Sequence, residues 1–206
     1  MSLLMSNSSS LVPPSDWQLL ILAGGRGERM GGVDKGLLAF QGRPLVCHLR
    51  DRFAPPRLRI SANRHDEDYA RLGLGTVPDH RDSFCGPLAG LESLLAATMA
   101  VDDGAATVPA VLIPCDMPWL PADLPARLLA ALSGEDTIAV AHDGERLQPL
   151  CMALHPARWR DDLGRYLDQG RRSVFGWLDD KPLQVCTWDD PAAFRNLNTP
   201  EDWDSA

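Results

Sequence analysis

From Trp17 onward, short apolar runs alternate with stretches whose apolar residues recur at helical spacing. Trp17–Leu22 reads as a buried strand that stops at glycines, and Arg57–Ser61 and Ala110–Pro114 read as two more. Thr137–Ala141 and Gln148–Leu154 complete the strands that the pattern predicts. Between them, Pro44–Phe53 carries Leu45, Val46, Leu49 and Phe53 on one helical face, and Asp66–Leu72 reads as a short helix. Pro87–Met99 is the clearest helix, with Leu88, Leu91, Leu94, Leu95 and Met99 in one apolar stripe. Pro121–Leu132 reads as a helix with proline in its opening turn, and Ala157–Leu167 as another. Thr199-Pro200-Glu201-Asp202 has the cap, the proline and the acid of a further helix start. This alternation predicts an α/β fold of three αβα layers around a mostly parallel, Rossmann-like sheet. Ligands of such sheets bind at the carboxyl ends of strands, near the reversal of strand order. The segments after Leu22, Ser61, Pro78 and Pro114 are therefore the places where chemistry is expected.

Composition narrows the class. At 206 residues with 45% hydrophobic and 23% charged positions, the chain can bury roughly 70% of its surface without metal or disulfide support. The organisation expected is a disordered, Ser-rich tail over residues 1–16 and one domain over 17–206. The tail lacks the basic start and apolar centre of a secretion signal. No run approaches the ~20 apolar residues of a bilayer helix, so a cytoplasmic protein without a membrane partner is expected. Twenty basic residues against 28 acidic ones leave a net charge of -8, which argues against nucleic acid as a partner. Any phosphate ligand must then be held by a local concentration of donors. Cys47, Cys85, Cys115, Cys151 and Cys186 are widely spaced and read as free thiols. The six tryptophans are scattered and read as core or rim packing.

Such a concentration of donors follows the first strand. Six of the fifteen positions in Leu22–Gly36 are glycine, against a background of about 7%. Glycine lets backbone N–H groups crowd around an anion, and Arg26, Arg29 and Lys35 add positive charge. The segment is not a Walker A loop, because Lys35 lies between Asp34 and Gly36. Nor is it a dinucleotide fingerprint, since Met30 stands where glycine or alanine is needed.

Three other segments carry candidate chemistry. Asp116 follows the strand Ala110–Pro114, with Pro118 two positions on. It can hold Mg2+, which takes few carboxylates beside substrate phosphates, or it can cap the helix that follows. Pro78–Leu91 runs from an acidic loop through Gly86-Pro87 into a helix with Gly90 near its start. That arrangement suits an anion or a close packing partner, and equally plain turn chemistry. Asn196 and Asn198 alternate along an extended segment and present two amides to one face, for heterocycle recognition or for capping. His65 and His80 read as exposed loop residues. Cys115, with no histidine near it in sequence, is a poor candidate nucleophile.

Together these segments resemble the molybdenum cofactor guanylyltransferase family, bacterial enzymes that attach GMP to molybdopterin. The resemblance runs from about Leu22 to Trp203. It rests on Leu-Ala-Gly-Gly-x-x-x-Arg-Met-Gly-Gly-x-Asp-Lys-Gly at Leu22–Gly36, Gly86-Pro87-Leu88-Ala89-Gly90, Cys115-Asp116-x-Pro118 and Asn196-x-Asn198-Thr199-Pro200. It implies a sheet of the nucleotidyltransferase type and GTP and molybdopterin as substrates. Mg2+ would be the metal, and molybdoenzymes or cofactor-insertion proteins would be transient partners. It implies that Leu22, Ala23 and Gly24 line the guanine nucleotide, that Lys35 meets its phosphates, and that Asp79 also contacts it. Asp116 would hold Mg2+. Gly25, Arg29, Gly32, Gly86 and Gly90 match further family positions around the active site, with Arg29 beside Lys35 and Asp116 in the catalytic set. Asn196 and Asn198 match the pterin side. The family's Asn-Ala-Asn-Arg is Ser61-Ala62-Asn63-Arg64 here, which leaves a hydroxyl and an amide as nucleotide contacts; Arg172 is carried over from Gly170–Ser173. The reaction implied is a single in-line displacement. Two alternatives stay open: a related transferase using CTP or a sugar phosphate, and a non-catalytic GTP-binding adaptor in cofactor delivery.

Overall fold

β1 (Gln18–Leu22) is buried along its whole length, as a continuous apolar strand covered on both faces must be. Residues 13–23, 34–81, 86–100 and 105–197 are described by a computed structural model of the protein. Leu19 and Ile21 point into one core, and Leu20 and Leu22 into the other. The first core is closed by α1 (Leu45–Phe53), α2 (Asp66–Arg71) and α4 (Leu124–Ala130). The second is closed by α3 (Pro87–Ala100), α5 (Pro156–Asp168) and α6 (Val174–Leu178). The expected three layers are present.

The sheet has seven strands. β4 (Arg57–Ser61) and β6 (Ala110–Pro114) flank β1 in parallel, and β5 (Thr76–Val77) lies outside β4. β8 (Leu147–Leu154) follows β6, then β7 (Ile138–His142), with β9 (Leu183–Thr187) at the far edge. Only β8 runs antiparallel, because a short hairpin joins it to β7. The chain moves outward from β1 through β4 to β5, then returns through β6 on the other flank of β1. The order therefore reverses between β1 and β6. Leu22 stands level with Ser61 and with Pro114, so the four segments singled out from the sequence leave the sheet at one end.

Some elements depart from the sequence pattern. α4 begins at Leu124 with Pro125 in its first turn, whereas Pro121 belongs to a preceding turn whose carbonyl accepts Leu124 N–H. Met99 is 37% exposed rather than part of the α3 stripe. α3 instead buries Ala89, Gly90, Ser93 and Thr98 as well, since it packs against both the sheet and α5. A hairpin of β2 (Ala39–Phe40) and β3 (Arg43–Pro44) was not foreseen, because two-residue strands have no readable period. Its turn is carried by positive φ at Gln41 and Gly42. β9 and α6 were also missed. β9 leaves Val185 exposed at the sheet edge and so lacks the apolar run of a buried strand. Among the described tryptophans, Trp17, Trp159, Trp177 and Trp188 are buried and Trp119 is half-buried, as packing residues should be. The expected helix start at Thr199 and the bulk of the expected tail lie outside the described residues.

Candidate active site

Lys35 and Asp116 meet at the switch point. After β1 the chain is described again from Asp34, which caps a 3-10 turn over Lys35–Leu37 with its carboxylate on Gly36 N–H. That turn aims Lys35 at the end of β6. There Lys35 Nζ donates to Asp116 Oδ2 at 2.8 Å. A third piece of chain arrives from the C-terminal side, where Leu197 N–H donates to the Asp116 carbonyl at 2.8 Å. Leu197 is seated by Phe40, Leu45 and the half-buried Trp119, and the Arg195 guanidinium lies 4.0 Å above the Trp119 ring. Asn196, exposed, directly precedes Leu197, the residue bonded to the Asp116 carbonyl.

The second carboxylate oxygen of Asp116, Oδ1, is buried and has no hydrogen-bond partner among the described residues. A buried, bare carboxylate oxygen is unfavourable unless something binds it. Mg2+ at phosphoryl-transfer sites takes one or two carboxylates and fills its remaining positions with phosphate oxygens and water. Asp116 fits that role. Among the described residues no three His, Cys, Asp or Glu side chains converge as metal ligands.

Asp79 lies two residues beyond β5, at the same end of the sheet. Asn63 Nδ2 donates to Asp79 Oδ2 at 2.9 Å, and Asp79 N–H donates back to Asn63 Oδ1 at 2.7 Å. Ser61 Oγ donates to Asp79 Oδ1 at 3.3 Å, so the serine that replaces the family's asparagine is engaged with the same carboxylate. The chain beyond is clamped to the helical layer. His80 N–H donates to Ser93 Oγ, and Arg81 pairs with Glu92 at 2.6 Å and with Asp168 at 2.9 Å. Its bonds to Glu92 and then Asp168 push the Arg81 guanidinium well above its usual range.

Gly86 has φ +76, a left-handed conformation natural for glycine, and it opens α3. Gly90 serves packing: a Cβ there would stand 2.7 Å from Ser61 Oγ and 2.9 Å from Leu22 Cδ2. The small residue near the start of α3 thus brings the helix down onto the ends of β1 and β4. Gly90→Ala is expected to destabilise the fold by about 1–3 kcal/mol, read as a lower denaturation midpoint. In a Ser61→Ala background part of that cost should vanish; an equal cost in both backgrounds would show that another contact dominates.

Leu22 ends β1 and Ala23 follows it, with Ala23 N–H on the Ser61 carbonyl and Cys115 N–H on the Leu22 carbonyl. Arg172 is not brought into described contact with Lys35, Asp116 or Asp79. Its guanidinium closes the end of α5 on the carbonyls of Leu167 and Arg171. Gly24, Gly25, Arg29, Gly32 and Asn198 lie outside the described residues, as does Cys85.

Cys115 is completely buried. Burial first, then the nearby Asp116 and Asp34 carboxylates, push its thiol well above the ordinary value, which removes it as a nucleophile. Cys47 and Cys151 are likewise buried free thiols. His65 and His80 are both exposed. Tyr69 escaped the sequence reading. It is fully buried and donates its hydroxyl to Asp34 Oδ1 at 2.8 Å. The only signal was one aromatic side chain in the otherwise polar run Asp66–Arg71.

Burial raises the Asp34 carboxyl above its ordinary 3.8, against the opposing pull of Tyr69 and Gly36. The native state therefore holds this proton more tightly than the unfolded chain, and stability falls as pH rises from 3.8 through the raised value. Asp34→Asn keeps an oxygen for both donors and cannot ionise. Wild type is expected to lose stability relative to this variant across that window, measured by chemical denaturation at stepped pH; parallel curves would contradict the assignment.

A mostly parallel sheet with a lysine–aspartate pair at its switch point is the layout of an α/β nucleotidyltransferase. The MobA-like NTP transferase domain family matches residues 19–182, and the chain belongs to that family. It is 40% identical to a molybdenum cofactor guanylyltransferase of Shewanella loihica, over 88% of this chain and 91% of the relative. A guanylyltransferase of the same name from Shewanella baltica is 41% identical, again over 88% of this chain and 91% of the relative. Among solved structures, the chain is similar to molybdopterin-guanine dinucleotide biosynthesis protein A from Archaeoglobus fulgidus. That match has a TM-score of 0.70 and 19% identity, covering 91% of this chain and 95% of the other. A similar fold is found in 4-diphosphocytidyl-2C-methyl-D-erythritol synthase from Anaerococcus prevotii. There the TM-score is 0.66 at 14% identity, with 92% and 93% covered.

Proposed function

We propose that this protein transfers GMP from GTP to the terminal phosphate of molybdopterin and releases pyrophosphate. Residues 17–206 act as one catalytic domain. The observation that carries this reading is the Lys35–Asp116 pair at the switch point, with Oδ1 of Asp116 buried and without a hydrogen-bond partner among the described residues. Relatives 40% identical over most of their length bear the guanylyltransferase name, which supports GTP as the donor.

In the displacement, an oxygen of the molybdopterin phosphate bonds to the α-phosphorus of GTP, and the bond from that phosphorus to the pyrophosphate oxygen breaks. The attacking group is already an anion, so no general base is needed. The protein's task is to position two polyanions and to offset their charge. Lys35 supplies positive charge from the turn after β1. Asp116 is the residue that would hold Mg2+, which when bound neutralises charge on the triphosphate oxygens. Asp79, oriented from three sides by Ser61 and Asn63, offers a fixed carboxylate to the nucleoside. Leu22, Ala23 and the glycines that follow line the nucleotide, with Arg29 as a second cation. Asn196 and Asn198 face the pterin. Gly86 and Gly90 shape the floor.

No helix among the described residues is long and apolar enough to cross a membrane. Action in the cytoplasm, with handover of product by transient contact with molybdoenzymes or insertion proteins, completes the proposal. The test is pyrophosphate release with each of the four nucleoside triphosphates, with and without molybdopterin. Release that needs both GTP and molybdopterin is expected. Equal use of CTP, or GTP binding without turnover, would overturn the reading.

A further inference from the structure

Lys35 is presented by a short turn whose far side is anchored, with Leu37 packed on the first core and the Leu38 carbonyl accepting Leu45 N–H at 3.0 Å. Its near side, at Asp34, needs a separate hold. The turn spans three residues, and its backbone bonds, from Leu37 N–H to Asp34 O and from Leu38 N–H to Lys35 O, are long at 3.2 and 3.3 Å. Short 3-10 turns have poor hydrogen-bond geometry. A side chain from a different element braces it. The hydroxyl of Tyr69, from α2, reaches Asp34 Oδ1 at 2.8 Å, and the same oxygen accepts Gly36 N–H at 2.9 Å. The hydroxyl occupies the space where a Cβ of Gly36 would stand, so glycine at position 36 is what admits it. Tyr69 is itself anchored: its N–H donates to the His65 carbonyl at 3.1 Å, and its carbonyl accepts from Leu72 and Leu74 at 3.0 Å each.

Stability alone does not account for this arrangement. Burying a carboxylate against a phenol costs desolvation of both groups, and an apolar pair of similar volume fills such a space at least as well. The bond's distinctive product is a fixed path for the residue between its two contact points, and that residue is Lys35. We propose that Tyr69, acting through Asp34, is a positioning residue that sets the reach of Lys35 toward the nucleotide phosphates. The inference rests on the reading of Lys35 as a phosphate ligand.

A double-mutant cycle tests it on the full-length protein. Mg-GTP affinity is measured by titration calorimetry, and KM is measured for each substrate, in Tyr69→Phe, Lys35→Ala and the double variant. Tyr69→Phe is expected to weaken GTP affinity by about tenfold while the KM for molybdopterin stays unchanged. In the Lys35→Ala background the same change should add less than about twofold, because the side chain being positioned is gone. Full GTP affinity in Tyr69→Phe, or a loss that multiplies onto that of Lys35→Ala, overturns the proposal. Full affinity in Lys35→Ala would instead overturn the reading of the site beneath it. Should Tyr69→Phe fail to fold, Gly36→Ala carries the test, since its methyl displaces the hydroxyl. It is expected to lose as much GTP affinity with the fold intact by circular dichroism. Intact affinity there, or loss of fold in both variants, shows the pair to be core packing and sinks the inference.

Discussion

Asp116→Ala should lower guanylyl transfer by about 10²–10³-fold while leaving the protein folded and at least as stable as wild type. The two halves of this expectation have separate causes. Activity falls because the carboxylate paired with Lys35 is gone, and with it the ligand proposed for Mg2+. Stability is spared because the fold uses the backbone of Asp116 rather than its side chain: the carbonyl accepts Leu197 N–H, and alanine keeps that bond. Oδ1 is buried without a partner among the described residues, an arrangement that costs about 1–3 kcal/mol and that alanine relieves. Against this stands the loss of the Lys35 pair, whose lysine is 25% exposed and regains water. Initial rates across a Mg2+ titration, set beside thermal melts, check both halves. A variant with full turnover would remove the metal role. One that unfolds would make Asp116 a structural residue.

Lys35→Ala should weaken GTP binding by about 10–100-fold, the worth of a charge-assisted bond to phosphate. Unlike the previous variant, it should also cost stability, because it strips the counter-ion from a carboxylate that is only 14% exposed. Lys35→Arg keeps the charge, but a planar guanidinium on this turn cannot reproduce the reach of a compact ammonium, so recovery is expected to be partial. GTP titrations of the three proteins decide it. Unchanged affinity in Lys35→Ala would count against the phosphate cradle. Opposite signs of the stability change in Asp116→Ala and Lys35→Ala would show that the aspartate is placed there at the fold's expense.

The strands and most helices could be read from the chain because each answers to a local rule. Leu19 to Leu22 are all apolar because β1 is covered on both faces, and Leu88, Leu91, Leu94 and Leu95 recur because one side of α3 must meet the sheet. Where a rule was shared by two neighbours, the reading slipped. Pro121 and Pro125 both suit an opening turn, and only packing selects the second. β2, β3 and β9 are too short or too exposed for a period to register. The site shows the same division. Lys35 stood out as a cation in a glycine-rich segment, Asp79 as part of an acidic loop and Asp116 as an acid just beyond a buried strand. Asn63 came from family resemblance, and its two-way bond with Asp79 became visible only across the gap between β4 and β5.

The sequence by itself determined the class of fold, the end of the sheet where chemistry occurs, and the residue types gathered there, because burial and turn chemistry act over a few neighbouring residues. The tertiary structure alone decided which of those residues meet. It set Lys35 against Asp116, left Oδ1 without a partner among the described residues, locked the lysine's turn with Tyr69, and turned Arg172 onto the end of α5. The pairings of Lys35 with Asp116 and of Asp34 with Tyr69 join positions 81 and 35 residues apart, and strand order and packing, rather than local preference, bring such positions together.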